Sequence, residues 1–230
     1  LKGLDIMGMA QTGTGKTAAF TLPILQKLNA KQSTKKVRDP RALILAPTRE
    51  LAIQINESIR KYGHYIGIKH TVIFGGVKEG PQVKSLARGM DIIVATPGRL
   101  LDLIDQGICS LNSIQFFVLD EADRMLDMGF IKDVEKVIKL LPNQKQTLFF
   151  SATMPESVIK FSETILQSPV KVKVKSTLTP VERISQSVIV IEPQDKVLQL
   201  ITLLKDKVFE TVIVFTRTKH KANRLCQKLI

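Results

Sequence analysis

Short, unbroken apolar runs recur along the chain at residues 42–46, 71–74, 92–95, 116–119 and 147–150, each bounded by polar or turn-forming residues. Runs of that length without alternation are the pattern of strands covered on both faces. Between them apolar residues return at helical spacing, most clearly over 50–62 and 131–141. Strand and helix in regular alternation predict an α/β fold, a doubly wound parallel sheet. Val170-Lys171-Val172-Lys173-Val174 alternates residue by residue instead, as an edge strand does. The polar segment 175–183, with Pro180, reads as a linker. From Ile184 the pattern restarts with a strand, a helix over 195–205, a strand over 211–216 and a basic helix over 219–230. The expected organisation is a first domain over 1–174, a linker over 175–183 and the start of a second domain over 184–230.

The first apolar run, Asp5-Ile6-Met7-Gly8-Met9, leads into Ala10-Gln11-Thr12-Gly13-Thr14-Gly15-Lys16-Thr17, and a helix-forming stretch over 17–28 follows. This strand–loop–helix order is the setting of a loop that wraps nucleotide phosphates. Gly13 and Gly15 leave room for backbone N–H groups to close on phosphate oxygens at a helix N-terminus. Lys16 is placed to reach the β- and γ-phosphates, and the Thr17 hydroxyl to ligate Mg²⁺. Ala10 stands where the general pattern begins with Gly, a position that has to be small more than left-handed. An ordinary glycine-rich turn is the plainer alternative for this segment alone.

A second site strengthens the nucleotide reading. The apolar strand 115–119 ends in Asp120-Glu121-Ala122-Asp123. Ligands of a parallel sheet collect at the carboxyl ends of its strands, so these acids are expected to face the phosphate loop. Asp120 is the candidate to hold Mg²⁺ through water, and Glu121 the candidate to orient and deprotonate an attacking water. Asp123 is a candidate for the nucleotide site as well, with a helix N-cap as its alternative.

Together these residues resemble the DEAD-box ATP-dependent RNA helicases. The resemblance extends, in the family's order, to Pro47-Thr48-Arg49-Glu50-Leu51, Gly75-Gly76, Thr96-Pro97-Gly98-Arg99 and Ser151-Ala152-Thr153, and Val212-Ile213-Val214-Phe215 resembles the opening of the family's second lobe. It covers essentially the whole chain, and residues 119–130 and 147–155 look closest to the bacterial RhlE-type branch. The resemblance implies a RecA-like P-loop NTPase lobe followed by the truncated start of a second RecA-like lobe, with ATP and Mg²⁺ as cofactors. It implies that the family's adenine-reading Gln segment precedes residue 1 and that its arginine finger follows residue 230, so the chain is expected to be a fragment, inactive alone. Leu4 stands where the family usually has a basic residue; a tolerated surface change and a perturbed entry to the loop are both open.

The same motifs place an RNA site. Thr48-Arg49 and Gly98-Arg99 begin helices directly after strands, where backbone N–H groups and guanidinium groups can meet phosphates, and Gly75-Gly76 allows close approach. The resemblance implies single-stranded RNA or a short duplex held by sugar and phosphate at Pro47, Thr48, Arg49, Gly75, Gly76, Thr96, Pro97, Gly98 and Arg99. A cap or turn is the alternative for each segment, and an intradomain salt bridge for Arg49 and Arg99. Ser151 and Thr153 offer two hydroxyls at a strand end near Asp120 and Asp123, fit to link the nucleotide site to lobe closure; a cap for the helix from Glu156 is the alternative.

Composition adds partners and exclusions. The 230 residues are 44% hydrophobic, enough for a large core, so disorder is excluded. Thirty-four Lys and Arg against 21 Asp and Glu give a net charge of +13, which suits a polyanion. Much of the loop 31–41 is basic and is expected to be solvated. Cys109 and Cys226 lie far apart, and His64, His70 and His220 are scattered, which argues for reduced thiols and against a zinc site. The chain shows no signal peptide and no apolar run long enough to cross a bilayer, so a cytoplasmic protein with no membrane partner is expected. The leading expectation is an RNA-stimulated ATPase that unwinds short duplexes or remodels RNA–protein contacts. A DNA helicase with the same core and a non-catalytic RNA-binding fragment are the rivals.

Overall fold

The structure is a computed structural model that describes residues 2–11, 13–30, 39–174, 185–206 and 208–229. Thr12, most of the basic loop and the expected linker lie outside the described residues. The chain divides into two compact units, Leu1–Thr177 and Leu178–Ile230.

The first unit is a seven-stranded parallel sheet flanked by helices. In chain order its elements are β1 (Ile6–Met9), α1 (Lys16–Ala30), β2 (Ala42–Leu45), α2 (Arg49–Tyr62), β3 (His70–Ile73), α3 (Gly80–Ala87), β4 (Ile92–Ala95), α4 (Pro97–Asp105), β5 (Phe116–Leu119), α5 (Ala122–Asp127), α6 (Ile131–Lys139), β6 (Gln146–Ser151), α7 (Glu156–Ile165) and β7 (Val170–Lys173). The strands lie in the order β3-β4-β2-β5-β6-β1-β7.

The unbroken apolar runs have their reason in this sheet. Leu43 and Leu45 of β2 point to one face and Ala42 and Ile44 to the other, and β4, β5 and β6 divide in the same way. On one face Phe20, Ile24 and Leu28 of α1 and Ile55 and Ile59 of α2 cover the sheet. On the other, Leu100 and Leu103 of α4, Met125 of α5, Val134 and Val137 of α6 and Phe161 of α7 do so. Central strands therefore have no solvated face and no polar alternation. β7, at the margin, alternates Val and Lys and is exposed along its whole length.

Polar residues tie the amino-terminal ends of the strands. The Arg41 guanidinium lies 2.6 Å from the Asp91 carboxylate, both buried, and also donates to the Leu28 carbonyl at 3.3 Å. The second Asp91 oxygen accepts from the Lys69 backbone N–H at 2.9 Å. A buried pair survives when further bonds satisfy it, as here. Arg41 therefore departs from the solvated loop expected of it: β2 starts at Ala42, and its first turn of chain is already inside the fold. Asp5 plays a similar part before β1, accepting from Thr147 N at 2.7 Å and Gln167 N at 2.8 Å.

The second unit corrects one expectation. Its helices α8 (Lys196–Leu204) and α9 (Lys219–Leu229) form where the apolar spacing puts them, but residues 185–192 and 211–216 are not strands. A strand is held by a neighbouring strand's hydrogen bonds, and among the described residues neither segment pairs with one. Their apolar side chains stand largely in solvent, Val190 at 94% and Phe215 at 91%.

Candidate active site and nucleic-acid interface

All strand pairs are parallel, so the segments after β1 to β6 emerge along one rim of the sheet. Strand order sorts them. β1, β6 and β5 are adjacent and carry the phosphate loop, Ser151 to Thr153 and Asp120 to Asp123; β2, β4 and β3 carry Pro47 to Arg49, Thr96 to Arg99 and Gly75-Gly76. One half of the rim thus holds every residue expected at the nucleotide, and the other every residue expected at RNA.

In the phosphate loop, Ala10 is buried and donates its N–H to the Ser151 carbonyl at 3.1 Å. It has no positive φ, so this position needs a small residue and not a left-handed one. Gly13 and Gly15 do have positive φ, 83° and 86°, and a Cβ on either would meet no protein atom within 4 Å. Glycine is needed there for backbone conformation, and the space beside it is open to a ligand. The Thr14 hydroxyl closes the turn by donating to Gln11 O at 2.7 Å. α1 then begins with Lys16, whose Nζ is buried and has no hydrogen-bond partner among the described residues. A buried ammonium without a partner is costly, and an anionic oxygen is what satisfies it. The structure's residues therefore fit a phosphate. Beside the loop lies a cavity of about 210 Å³ with a largely apolar wall that includes Gly8, Phe150, Val172 and Ala19, along with Gly15 and Lys16.

Asp120, 2% exposed, directly follows β5, and one of its oxygens accepts from Glu121 N at 3.0 Å. Burial pushes its carboxyl up to about 6, against the opposing pull of Lys16 and with a further push from Glu121. Glu121 has φ 52° and ψ 52°, a left-handed conformation that a non-glycine residue rarely adopts. Such strain clusters at functional sites. Its carboxylate lies 3.2 Å from Arg124. Among the described residues no group of three or more His, Cys, Asp or Glu side chains could hold a metal. One carboxylate such as Asp120, a hydroxyl and phosphate oxygens are the donor types that Mg²⁺ takes.

Asp123 does not cap its helix. Its Oδ2 accepts from Thr153 N at 2.9 Å and Thr153 Oγ1 at 2.8 Å. Burial alone would raise its carboxyl, but the Thr153 side-chain and backbone bonds, with the Ser151 hydroxyl and the Arg124 backbone, outweigh that and hold it below its ordinary value. Ser151 is fully buried and donates to Thr153 O at 2.6 Å. Neither hydroxyl caps α7, whose N-cap is Pro155.

In the other half, Thr48 caps α2, its hydroxyl accepting from Leu51 N at 3.3 Å, and Arg49 lies exposed against Glu50 at 3.1 Å. Thr96 makes no side-chain cap, and Pro97 begins α4. Gly76 has φ 80°. The Arg99 guanidinium is turned inward: Nη1 and Nη2 donate to Val77 O at 3.4 and 3.3 Å, and Nε lies 3.7 Å from Asp102. Its intradomain alternative is thus the contact the structure contains.

Two residues near these motifs were not anticipated from sequence. The i,i+3 spacing of Glu121 and Arg124 on a helix was a usable signal. Gln82, which bonds to the backbone of Phe74, carried none. Leu4 is exposed, and its carbonyl accepts from Gln146 Nε2 at 2.6 Å. Cys109 is buried, which pushes its thiol up to about 11, outside any reactive range. No helix among the described residues is long and apolar enough to cross a membrane.

Residues 1–161 match the DEAD/DEAH box helicase family. The chain is 41% identical over 229 residues to the DEAD-box ATP-dependent RNA helicase CshA of Streptococcus pneumoniae, covering all of this chain and 43% of that one. It is 40% identical over 230 residues to the ATP-dependent RNA helicase DeaD of Escherichia coli, covering 36% of it. A crystal structure of a DEAD box protein from Methanococcus jannaschii superposes with a TM-score of 0.69 at 37% identity, over 98% of this chain and 59% of that one. The chain spans less than half the length of these two curated relatives.

Proposed function

Since the chain belongs to the DEAD/DEAH box helicase family, we propose that it supplies the ATP-binding lobe of an ATP-dependent RNA helicase. The observation that carries the proposal is the buried Lys16 Nζ, without a hydrogen-bond partner among the described residues, at the head of α1, on the half-rim that also carries Asp120 and Glu121.

In this reading the Gln11 to Thr17 loop turns backbone N–H groups and the Lys16 ammonium on the phosphates. Magnesium, when bound, would neutralise phosphate charge, with the Thr17 hydroxyl and Asp120, through water, as its protein donors. Glu121 orients the attacking water and takes its proton. Arg124 holds that carboxylate in the absence of nucleotide. Asp123, Thr153 and Ser151 pass the state of the nucleotide site to the neighbouring strand ends. RNA is held on the other half of the rim, at Pro47, Thr48, Arg49, Gly75, Gly76, Thr96, Pro97, Gly98 and Arg99, through backbone and phosphate and not through bases. The +13 net charge supports a polyanionic partner.

We further propose that residues 184–230 open a second RecA-like lobe after a linker at 175–183. The bacterial RhlE-type branch is supported by residues 119–130 and 147–155, and a phylogeny that groups the chain with CshA or DeaD would overturn it. A cytoplasmic location is supported by the two free cysteines. The functional test is steady-state ATP hydrolysis by the full-length protein with single-stranded RNA, single-stranded DNA or neither. Stimulation by RNA alone is expected; equal stimulation by DNA, or hydrolysis indifferent to both, overturns the reading.

A further inference from the structure

We infer that Gln82 is a positioning residue for the RNA-binding half of the rim: its side-chain amide clamps the end of β3 and so presets the Gly75-Gly76 backbone. This rests on the RNA reading above and adds to it a residue outside every motif.

β3 is the edge of the sheet and pairs with β4 alone. Phe74, the residue after it, has no neighbouring strand on its outer side. Gln82, 8% exposed on α3, fills that place: Nε2 donates to Phe74 O at 3.0 Å, and Oε1 accepts from Phe74 N at 3.2 Å. A primary amide offers a donor and an acceptor side by side, as a backbone does, and only Gln and Asn side chains carry one. Asn is shorter by a methylene.

The clamped residue stands directly before the two glycines, and Gly76 at φ 80° uses the freedom glycine has. On their far side Val77 O accepts both Arg99 Nη donors. The most permissive part of the loop is therefore strung between two anchors, one from α3 and one from α4. A segment ordered before binding spends less of its contact energy on ordering when RNA arrives.

Docking of α3 is a poorer account of Gln82, because α3 has other means of docking. Val83 and Leu86 pack against the core, and Ser85 Oγ donates to Thr71 Oγ1 at 2.9 Å, one turn along the helix. Both Gln82 bonds go instead to the first residue of the loop.

The test compares, in the full-length protein, wild type, Gln82→Leu, Gln82→Asn and Ser85→Ala in binding of a labelled single-stranded oligouridine RNA, ATP binding by calorimetry, and amide exchange over residues 74–77. Gln82→Leu should weaken RNA binding by about tenfold, a loss of about 1.4 kcal/mol, leave ATP affinity unchanged and speed exchange across the loop. Gln82→Asn keeps the amide but is shorter by a methylene, should fall between, and carries the test if the Leu variant misfolds. Ser85→Ala should bind RNA as wild type does. Unchanged RNA affinity in both Gln82 variants, or an equal loss in Ser85→Ala, overturns the inference alone. A full-length wild-type protein that binds no RNA overturns the RNA reading, and exchange over 74–77 still decides whether Gln82 holds the loop.

Discussion

Asp123 and Thr153, thirty positions apart, are joined twice: one carboxylate oxygen accepts both the backbone N–H and the hydroxyl of Thr153, at 2.9 and 2.8 Å. The pair ties the segment after β5 to the segment after β6. Thr153→Ala removes one bond and should cost about 1 kcal/mol at neutral pH, or less because Asp123 is part-exposed and screened. The sign with pH follows from the carboxyl lying below its ordinary value: its contribution is present above about pH 4 and is lost as pH falls through the folded value. The difference between wild type and Thr153→Ala in chemical denaturation should therefore shrink on acidification. A difference that grows toward low pH contradicts the assignment.

Lys16→Ala should abolish ATP binding without loss of stability. The buried ammonium makes no hydrogen bond among the described residues, so none is lost with it, and only its pull on Asp120 goes. Calorimetry beside a thermal melt checks both halves: the melting temperature should be unchanged or raised, and retained affinity would detach the loop from the nucleotide.

Asp120 gives a pH dependence of opposite sign. Unfolded, its carboxyl titrates at about 4; folded, burial holds it at about 6. The folded state binds the proton more tightly, so this contribution is fully present below pH 4 and is lost as pH rises through 6, an effect on the order of 2 kcal/mol. Asp120→Asn should flatten that part of the stability profile in magnesium-free buffer and be the more stable protein above pH 6.

Glu121 is held in a left-handed conformation that its proposed place beside the attacking water would account for. Glu121→Gln should bind ATP and, in the full-length protein, lose hydrolysis by about 10²–10⁴-fold. Glu121→Gly should be more stable than Glu121→Gln by about 1 kcal/mol, since both lack the Arg124 ion pair and only glycine relaxes the left-handed backbone. Urea midpoints of the two variants decide it; equal midpoints mean the conformation costs nothing.

Gly8→Ala tests the packing beside the phosphate loop. A Cβ at Gly8 would lie 2.6 Å from the Phe150 ring, so the ring must move within a sheet-on-helix core. A loss of about 1–3 kcal/mol is expected by thermal melt, along with weaker ATP binding, because Phe150 lines the adjoining cavity. A stable variant with normal affinity would show that the ring is free to turn away.

What the sequence by itself determined is whatever depends on local order. Unbroken apolar runs in β2, β4 and β5 announced strands buried on both faces, and the alternation in β7 announced the edge. The loop from Ala10 to Thr17 and the acids from Asp120 carry the proposed nucleotide site, because phosphate-binding chemistry needs those residue types in that local succession. The tertiary structure decided what depends on partners distant in the chain. Residues 211–216 have strand composition but no strand, since pairing comes from a neighbour and not from side chains. Arg41 reads as part of a solvated basic loop, yet it lies buried against Asp91, fifty positions away. Arg99 looks ready for a phosphate but turns to Val77 O, and Gln82 looks like any polar helix residue until α3 is laid beside the end of β3. Side-chain periodicity reports which face is apolar; it carries no record of which backbone group a polar side chain will meet once the sheet has closed.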